Sequence, residues 1–192
     1  MSAADRQKWD SKYSAADAAP REPSAVLISL ADYLPSRGRA LDVAGGAGRN
    51  GIWLANRGLD VTIADVSPVG LAVARERAAA AKLTIETMEI DLEQSPLPRG
   101  PYDVILSVCY LWRPLFAQIP GSLVSGGVLV VIQPTKKNLE RNDKPPVDYL
   151  LDEGELLRLA VGLEIVHFRE GWMADGRHDA VLIARKPQPH VV

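Results

Sequence analysis

Three glycines, Gly45, Gly46 and Gly48, fall within Leu41–Asn50 (LDVAGGAGRN), between a β-branched run and a helical stripe. Residues without a side chain let a ligand come within van der Waals distance of the main chain, and they tolerate positive φ. A helix beginning near Gly48 turns free N–H groups and the positive end of its dipole toward that space. A polar or negative group suits such a turn. The stretch Gly46-Ala47-Gly48-Arg49-Asn50-Gly51 also satisfies the G-x-G-x-x-G pattern of dinucleotide sites, so the turn alone leaves its ligand open.

Three acids narrow the choice. Asp42 lies inside the first strand, where its charge would repel a pyrophosphate and suit a ligand carrying an ammonium and a sulfonium. Asp65 ends the second strand, where a carboxylate can accept from two vicinal ribose hydroxyls, as NAD and S-adenosylmethionine both require. Asp91, in the stretch IDLE, is placed to accept from an exocyclic adenine amine while a neighbouring backbone N–H serves the ring nitrogen. Open α/β sheets bind ligands at the carboxyl ends of successive strands, which is where these acids are expected.

The elements that must position them follow from pattern. β-Branched runs at Ala40–Ala44, Val61–Asp65, Ile85–Asp91, Tyr102–Val108 and Val128–Gln133 alternate with helical stretches, the signature of a parallel sheet covered on both faces. The stretch after the turn, with Ile52, Leu54 and Ala55, reads as a helix stopped by Gly58. Ser67-Pro68 offers an N-cap and an N1 proline to an Ala-rich helix running to about Lys82. Trp112 to Leu123 permits only a short helix, because Pro114 and Pro120 interrupt it. Upstream, Ser24 to Leu34 carries Val26, Leu27, Leu30 and Leu34 at helical spacing. Leu163–Phe168 and Ala180–Ala184 predict an antiparallel hairpin at the sheet edge, and Pro134–Asp152 predicts a long loop of the kind that forms lids or stays disordered.

Composition excludes several classes. The chain of 192 residues is 47% hydrophobic and 24% charged, within the range of one ordinary globular domain. That domain is expected to divide into an N-terminal helical cap over residues 1–37 and a core over 38–186. A net charge of −2 and a pI near 5.9 supply no positive field for a nucleic acid backbone. With Cys109 as its only cysteine, the chain can form neither an intramolecular disulfide nor a thiolate metal cluster, and no metal site is expected. Its N-terminus lacks the apolar core of a signal peptide and no run is long enough to span a bilayer, so the expectation is a cytoplasmic protein, monomeric or homodimeric, that avoids membranes.

The segments LDVAGGAGRNGIWLANRG, VTIADVSP, EIDLEQSPLP and YDVILSVCYLWRPLF resemble motifs of class I S-adenosylmethionine-dependent methyltransferases, a likeness extending over about residues 9–186. The resemblance implies a doubly wound, Rossmann-like α/β fold. Its seven-stranded, mostly parallel sheet would run in the order 3-2-1-4-5-7-6, with strand 7 antiparallel. S-adenosylmethionine is the implied cofactor, with Gly45, Gly46 and Gly48 approaching the methionine moiety beside Asp42 and Ala44. Asp65 with Val66 would hold the ribose, Asp91 with Leu92 would frame the adenine, and a Ser107 or Val108 carbonyl would face the ammonium. The family turn usually reads Asp-x-Gly-x-Gly-x-Gly; Ala44 replaces the first glycine, and its methyl group is expected to crowd the site tolerably. Trp9 to Tyr13 (WDSKY), the GRN after the turn and LWRPL resemble small tellurite-resistance-type and thiopurine-type methyltransferases. That implies an N-terminal segment folded over the cofactor with Trp9 and Tyr13 near its mouth; a pair of aromatics anchoring a terminal helix is the equal alternative.

Methyl transfer needs in-line alignment and exclusion of water more than acid–base machinery. The acceptor would lie beyond strands four and five, where Tyr110, Trp112 and Arg113 are the candidate contacts, with Gln133, Thr135, Trp172 and His178 nearby. Arg113 could hold an anionic acceptor or simply lie on the surface. His178 falls in an apparent turn, where a solvated ring is expected, and no catalytic base is assignable. Nucleic acid amino-methyltransferases carry Asn/Asp-Pro-Pro-aromatic after strand four; SVCY stands there instead, which points to a small molecule whose acceptor atom, thiol, chalcogen oxyanion, hydroxyl or amine, stays open. An NAD-dependent oxidoreductase and a non-catalytic S-adenosylmethionine-binding module are the competing readings.

Overall fold

The computed structural model describes residues 3–14 and 20–189. Helix α1 (Ala3–Ser14) comes first, followed by the short α2 (Ala25–Ser29) and a 3-10 turn at Ala31–Tyr33. Strand β1 (Arg39–Val43) leads through the Gly-rich turn to α3 (Arg49–Asn56), and β2 (Asp60–Asp65) leads to α4 (Pro68–Ala80). After β3 (Glu86–Glu89) and β4 (Tyr102–Val108) the chain makes a 3-10 turn and the single-turn α5 (Ile119–Ser122). Strand β5 (Leu123–Pro134), two 3-10 turns, α6 (Glu155–Leu159) and the hairpin β6 (Glu164–Trp172) and β7 (His178–Arg185) complete it.

These strands form one seven-stranded sheet in the order β3-β2-β1-β4-β5-β7-β6, with β7 antiparallel to both neighbours. This is the doubly wound order that the resemblance implies. Strand residues alternate between two apolar layers. Leu41, Ile105, Leu129 and Leu182 face Leu115, Phe116 and Leu156, while Ala40, Leu106, Val130 and Ile183 face Leu27, Leu54 and Leu71. Helices on both faces therefore bury the sheet, and the carboxyl ends of β1, β2, β4 and β5 come out on a single side.

The N-cap at Ser67 forms as its sequence predicts, the hydroxyl accepting from the Gly70 N–H at 3.0 Å with Pro68 opening the helix. Several boundaries differ from expectation. The third strand stops at Glu89, because it pairs with β2 alone and the chain then turns, the Asp91 carbonyl accepting from Gln94 and Ser95. Strand five begins at Leu123, where pairing with Tyr102 draws the Gly126-Gly127 bend into the ladder. Trp112 to Leu123 forms a 3-10 turn at Arg113–Gln118 and one turn of α-helix, since Pro114 and Pro120 each remove a donor. Ser24 to Leu34 splits into α2 and a 3-10 turn instead of one helix. The Pro134–Asp152 segment is an ordered loop pinned by a Thr135–Leu151 bridge, with Leu150 and Leu151 fully buried. Among the described residues no helix is long and apolar enough to cross a membrane.

Candidate functional site

The site grows from the turn after β1. Asp42 is 1% exposed, and its Oδ2 accepts the Gly51 N–H at 2.9 Å, tying the strand to the first turn of α3. A β-carbon on Gly45 would come within 2.6 Å of that same oxygen, and one on Gly48 within 2.8 Å of the Ala74 methyl. Both glycines are thus required by the protein's own packing as well as by any ligand. Ala44 adopts φ +52°. Its departure from the family glycine therefore carries a backbone cost, since left-handed φ costs an L-residue about 1–2 kcal/mol.

Asp65, at the tip of β2, is 5% exposed and uses both oxygens. Oδ2 accepts from the Gly46 N–H and Oδ1 from the Ser67 N–H, each at 2.8 Å. A carboxylate has about four lone-pair positions, so acceptor capacity remains for a ligand. Burial raises the pKa of Asp65 against these stabilising backbone bonds. Asp42 is pushed up to about 7, chiefly by burial, with the Gly51 bond opposing and the Asp65 charge adding.

Helix α1 lies over this turn. The Ser67 hydroxyl donates to Asp10 Oδ1, and Arg6 pairs with Glu89 at the tip of β3. Tyr13 packs against the bare α-carbons of Gly46 and Gly70, where added β-carbons would overlap its ring or hydroxyl. Trp9 stacks on Tyr13 at 5.8 Å, and the Lys12 ammonium lies 4.4 Å from the Trp9 centroid. The two aromatics anchor the helix and line the cleft beneath it, so the two alternatives for them coincide.

That cleft encloses ≈ 250 Å³. Of the residues singled out in the sequence, Trp9, Tyr13, Asp42, Ala44, Gly45, Gly48, Asp65, Val66, Val108 and Tyr110 line it. Gly46 stands behind the Tyr13 hydroxyl. Asp91, Leu92, Ser107, Trp112 and Arg113 are not in its wall. Asp91 lies past the end of β3 with Oδ1 accepting from the Glu93 N–H, although its charge, with those of Glu93 and Asp65, is felt at Tyr110. Leu92 is core, and the Ser107 hydroxyl donates to the Tyr110 carbonyl. Burial raises the Tyr110 pKa, and its hydroxyl is buried without a hydrogen-bond partner among the described residues.

Arg113 has partners within the protein. Its guanidinium forms a bidentate pair with Glu155 and donates to the Leu150 carbonyl at 3.1 Å, clamping α6 to the turn after β4. His178 is 6% exposed instead of solvated, because it opens β7 and packs edge-on to Trp172. Gln133 donates to the Tyr149 carbonyl at 2.6 Å and so fixes the loop. Sequence reasoning missed Lys12, Arg49, Asn50 and Cys109, which also line the cleft. Arg49 and Asn50 directly follow the Gly-rich turn, a position that could have drawn attention to them. Cys109 has φ +58° and lies 3.2 Å from Arg177, a hairpin contact that no local pattern announces.

Residues 40–127 match the family described as "Methyltransferase domain". Over that stretch the chain is similar to a methyltransferase domain. Solved structures with the same fold include TehB from Haemophilus influenzae, at TM-score 0.70 and 21% identity over 94% of this chain and 66% of that one. A TehB-like S-adenosylmethionine-dependent methyltransferase from Corynebacterium glutamicum matches at TM-score 0.65 and 23% identity, over 94% and 95% of the two chains. N-methyltransferase NodS from Bradyrhizobium japonicum, in complex with S-adenosyl-L-homocysteine, matches at TM-score 0.73 and 18% identity, over 95% and 98%. In sequence, an uncharacterised protein of Mycobacterium tuberculosis is 42% identical over 69 residues, which are 36% of this chain and 25% of that protein. The match thus spans a quarter of the mycobacterial protein's length.

Proposed function

We propose that this methyltransferase domain binds S-adenosylmethionine in the cleft under α1 and transfers its methyl group to a small molecule. The observation that carries the reading is the pair of buried carboxylates, Asp42 and Asp65, on either side of a side-chain-poor turn that opens into the cleft. A ligand bearing ammonium and sulfonium charges and a ribose diol fits that arrangement by drawing out the Asp42 proton, whereas a pyrophosphate would meet two buried acids that can only repel it once ionised. The carboxylate pair and the match to the methyltransferase domain weigh against NAD, which the Gly46–Gly51 pattern alone had left open.

When bound, the cofactor supplies a carbon already activated for displacement. In this reading Asp42 faces the methionine ammonium, and Asp65 with Val66 holds the ribose. The main chain at Ala44, Gly45, Gly46 and Gly48 gives close approach, and the Ser107 and Val108 carbonyls complete the ammonium shell. Asp91 and Leu92 act at the adenine end from outside the cleft wall. Trp9 and Tyr13 exclude water. Residues 38–186 form the working core and residues 1–37 its cap.

Thermal shift with S-adenosylhomocysteine and with NAD tests the assignment, since a ligand at a hundred times its Kd stabilises the folded state by about 2.7 kcal/mol. The expected result is stabilisation by S-adenosylhomocysteine alone. Stabilisation by NAD alone ends the reading, and tight S-adenosylmethionine binding with no transfer to thiols, phenols, amines or selenite would reduce the domain to a binding module.

A further inference from the structure

A second cavity, ≈ 630 Å³, opens where β5 ends and β7 begins, and it shares no lining residue with the cofactor cleft. Its wall is assembled from four segments: the turn after β5, the approach to α6, and strands β6 and β7. His178 lines it although only 6% exposed. The imidazole is held in one orientation, with Nδ1 2.7 Å from the Thr135 hydroxyl and Trp172 packed edge-on at 5.1 Å. Nε2 makes no hydrogen bond among the described residues and is not fully buried, so it faces the cavity. Buried polar groups are as a rule hydrogen-bonded, and a fixed ring with its outer nitrogen unbonded leaves a place for a guest.

The charges in the wall say which guest. Glu140, Glu153 and Glu170 stand there, and none of the three is in an ion pair among the described residues. Glu170 accepts from the Gly154 N–H at 3.1 Å, while the carboxylates of Glu140 and Glu153 accept no hydrogen bond. Lys136 is taken by Asp152 at 2.7 Å, so Lys137 alone is set against three carboxylates. A dication balances that wall. The described residues contain no cluster of ligating side chains fit for a metal ion, and the volume lies in the range of about 300–1,000 Å³ that organic ligands occupy. The half-buried Phe168 adds an apolar patch.

We infer that this cavity is a second ligand site, for a linear aliphatic diamine bound as its diammonium ion. Its ends donate charge-assisted hydrogen bonds to the free carboxylates and to His178 Nε2, which accepts when Nδ1–H donates to Thr135. Its methylene chain lies against Phe168. Such a guest ties the turn after β5 to α6 and to the hairpin, and so holds the Pro134–Asp152 loop on the sheet. The two cavities being separate, the diamine is held there and not methylated.

The test titrates the full chain with putrescine, cadaverine, n-butylamine, butanediol and magnesium ion, with and without S-adenosylhomocysteine. Calorimetry reads affinity, the ¹⁵N resonances of the His178 ring read contact, and amide exchange over residues 135–154 reads the loop. The diamines should bind several-fold more tightly than n-butylamine, shift Nε2 and slow exchange in the loop, equally well in both conditions. Butanediol should do none of these. Glu140→Gln with Glu153→Gln should weaken putrescine binding several-fold and leave S-adenosylhomocysteine affinity unchanged. Butanediol binding as tightly as putrescine, an unmoved His178 resonance, or wild-type diamine affinity in the double variant would each overturn the inference. So would displacement of putrescine by an equal concentration of magnesium, or formation of N-methylputrescine with S-adenosylmethionine. Failure of S-adenosylhomocysteine to bind would instead strike the methyltransferase reading and leave the diamine result standing.

Discussion

The Tyr13 hydroxyl occupies the space that a β-carbon on Gly46 would need, the two positions falling 2.0 Å apart. Bare backbone at the turn is therefore what allows α1 to lie down on it. Gly46→Ala should expel Tyr13, loosen α1 and cost about 1–3 kcal/mol, since Gly46 also has φ +54°. Tyr13→Phe removes only the hydroxyl and should leave the helix docked. Limited proteolysis within α1 with denaturant titration separates the two variants, and equal protection in both would refute the dependence.

Asp65 holds Gly46 and Ser67 before any ligand arrives. Asp65→Ala should lower stability by about 1–3 kcal/mol by leaving buried N–H groups unpaired, and weaken S-adenosylhomocysteine binding by tenfold or more. Asp65→Asn, which retains one acceptor, should fall between. Calorimetry showing wild-type affinity in the alanine variant would displace the ribose from Asp65.

Asp42 gives a dependence on pH. In the unfolded chain its carboxyl titrates near its ordinary value of 3.8, whereas burial holds it protonated up to about 7 in the fold. The folded state therefore binds more protons between those values, and this group's contribution to stability is fully present below about pH 4 and falls as pH rises toward 7. A cationic ligand favours the carboxylate, so cofactor binding should release a proton below pH 7 and tighten as pH climbs to it. Calorimetry in buffers of different ionisation enthalpy reads the proton, and Asp42→Asn should abolish the release.

Arg113→Ala should leave S-adenosylhomocysteine affinity unchanged and lower stability by only about 0.5–1 kcal/mol. Its side chain is 40% exposed, so solvent screens the pair with Glu155. Weakened acceptor binding in this variant would return Arg113 to the site.

Ala44→Gly should be neutral or stabilising by up to about 1 kcal/mol, because relief at φ +52° outweighs the added freedom of the unfolded chain. A destabilised variant in denaturant titration would show that the alanine methyl packs usefully.

The sheet order was legible through the family resemblance alone, whereas the strands and the Gly-rich turn were legible in strong local signals: β-branched runs, the Ser67-Pro68 cap and glycines at successive turn positions. Asp42 and Asp65 were legible because strand tips place them. Asp91 was harder, since the edge strand has one partner and ends two residues before it. The partners of Arg113 and the burial of His178 were not legible, for a different reason. What each does is decided by residues distant in the chain, Glu155 for one and Thr135 and Trp172 for the other, and no local spacing encodes such meetings.

Strands β3 and β6 form the two margins of the sheet. Each margin could in principle recruit a strand from another molecule, the route by which β-proteins aggregate. Glu86 and Glu89 on one side and Glu164, Arg169 and Glu170 on the other set charges along both margins, and Arg6 braces Glu89 from above. Edge-to-edge fibre growth is thereby opposed.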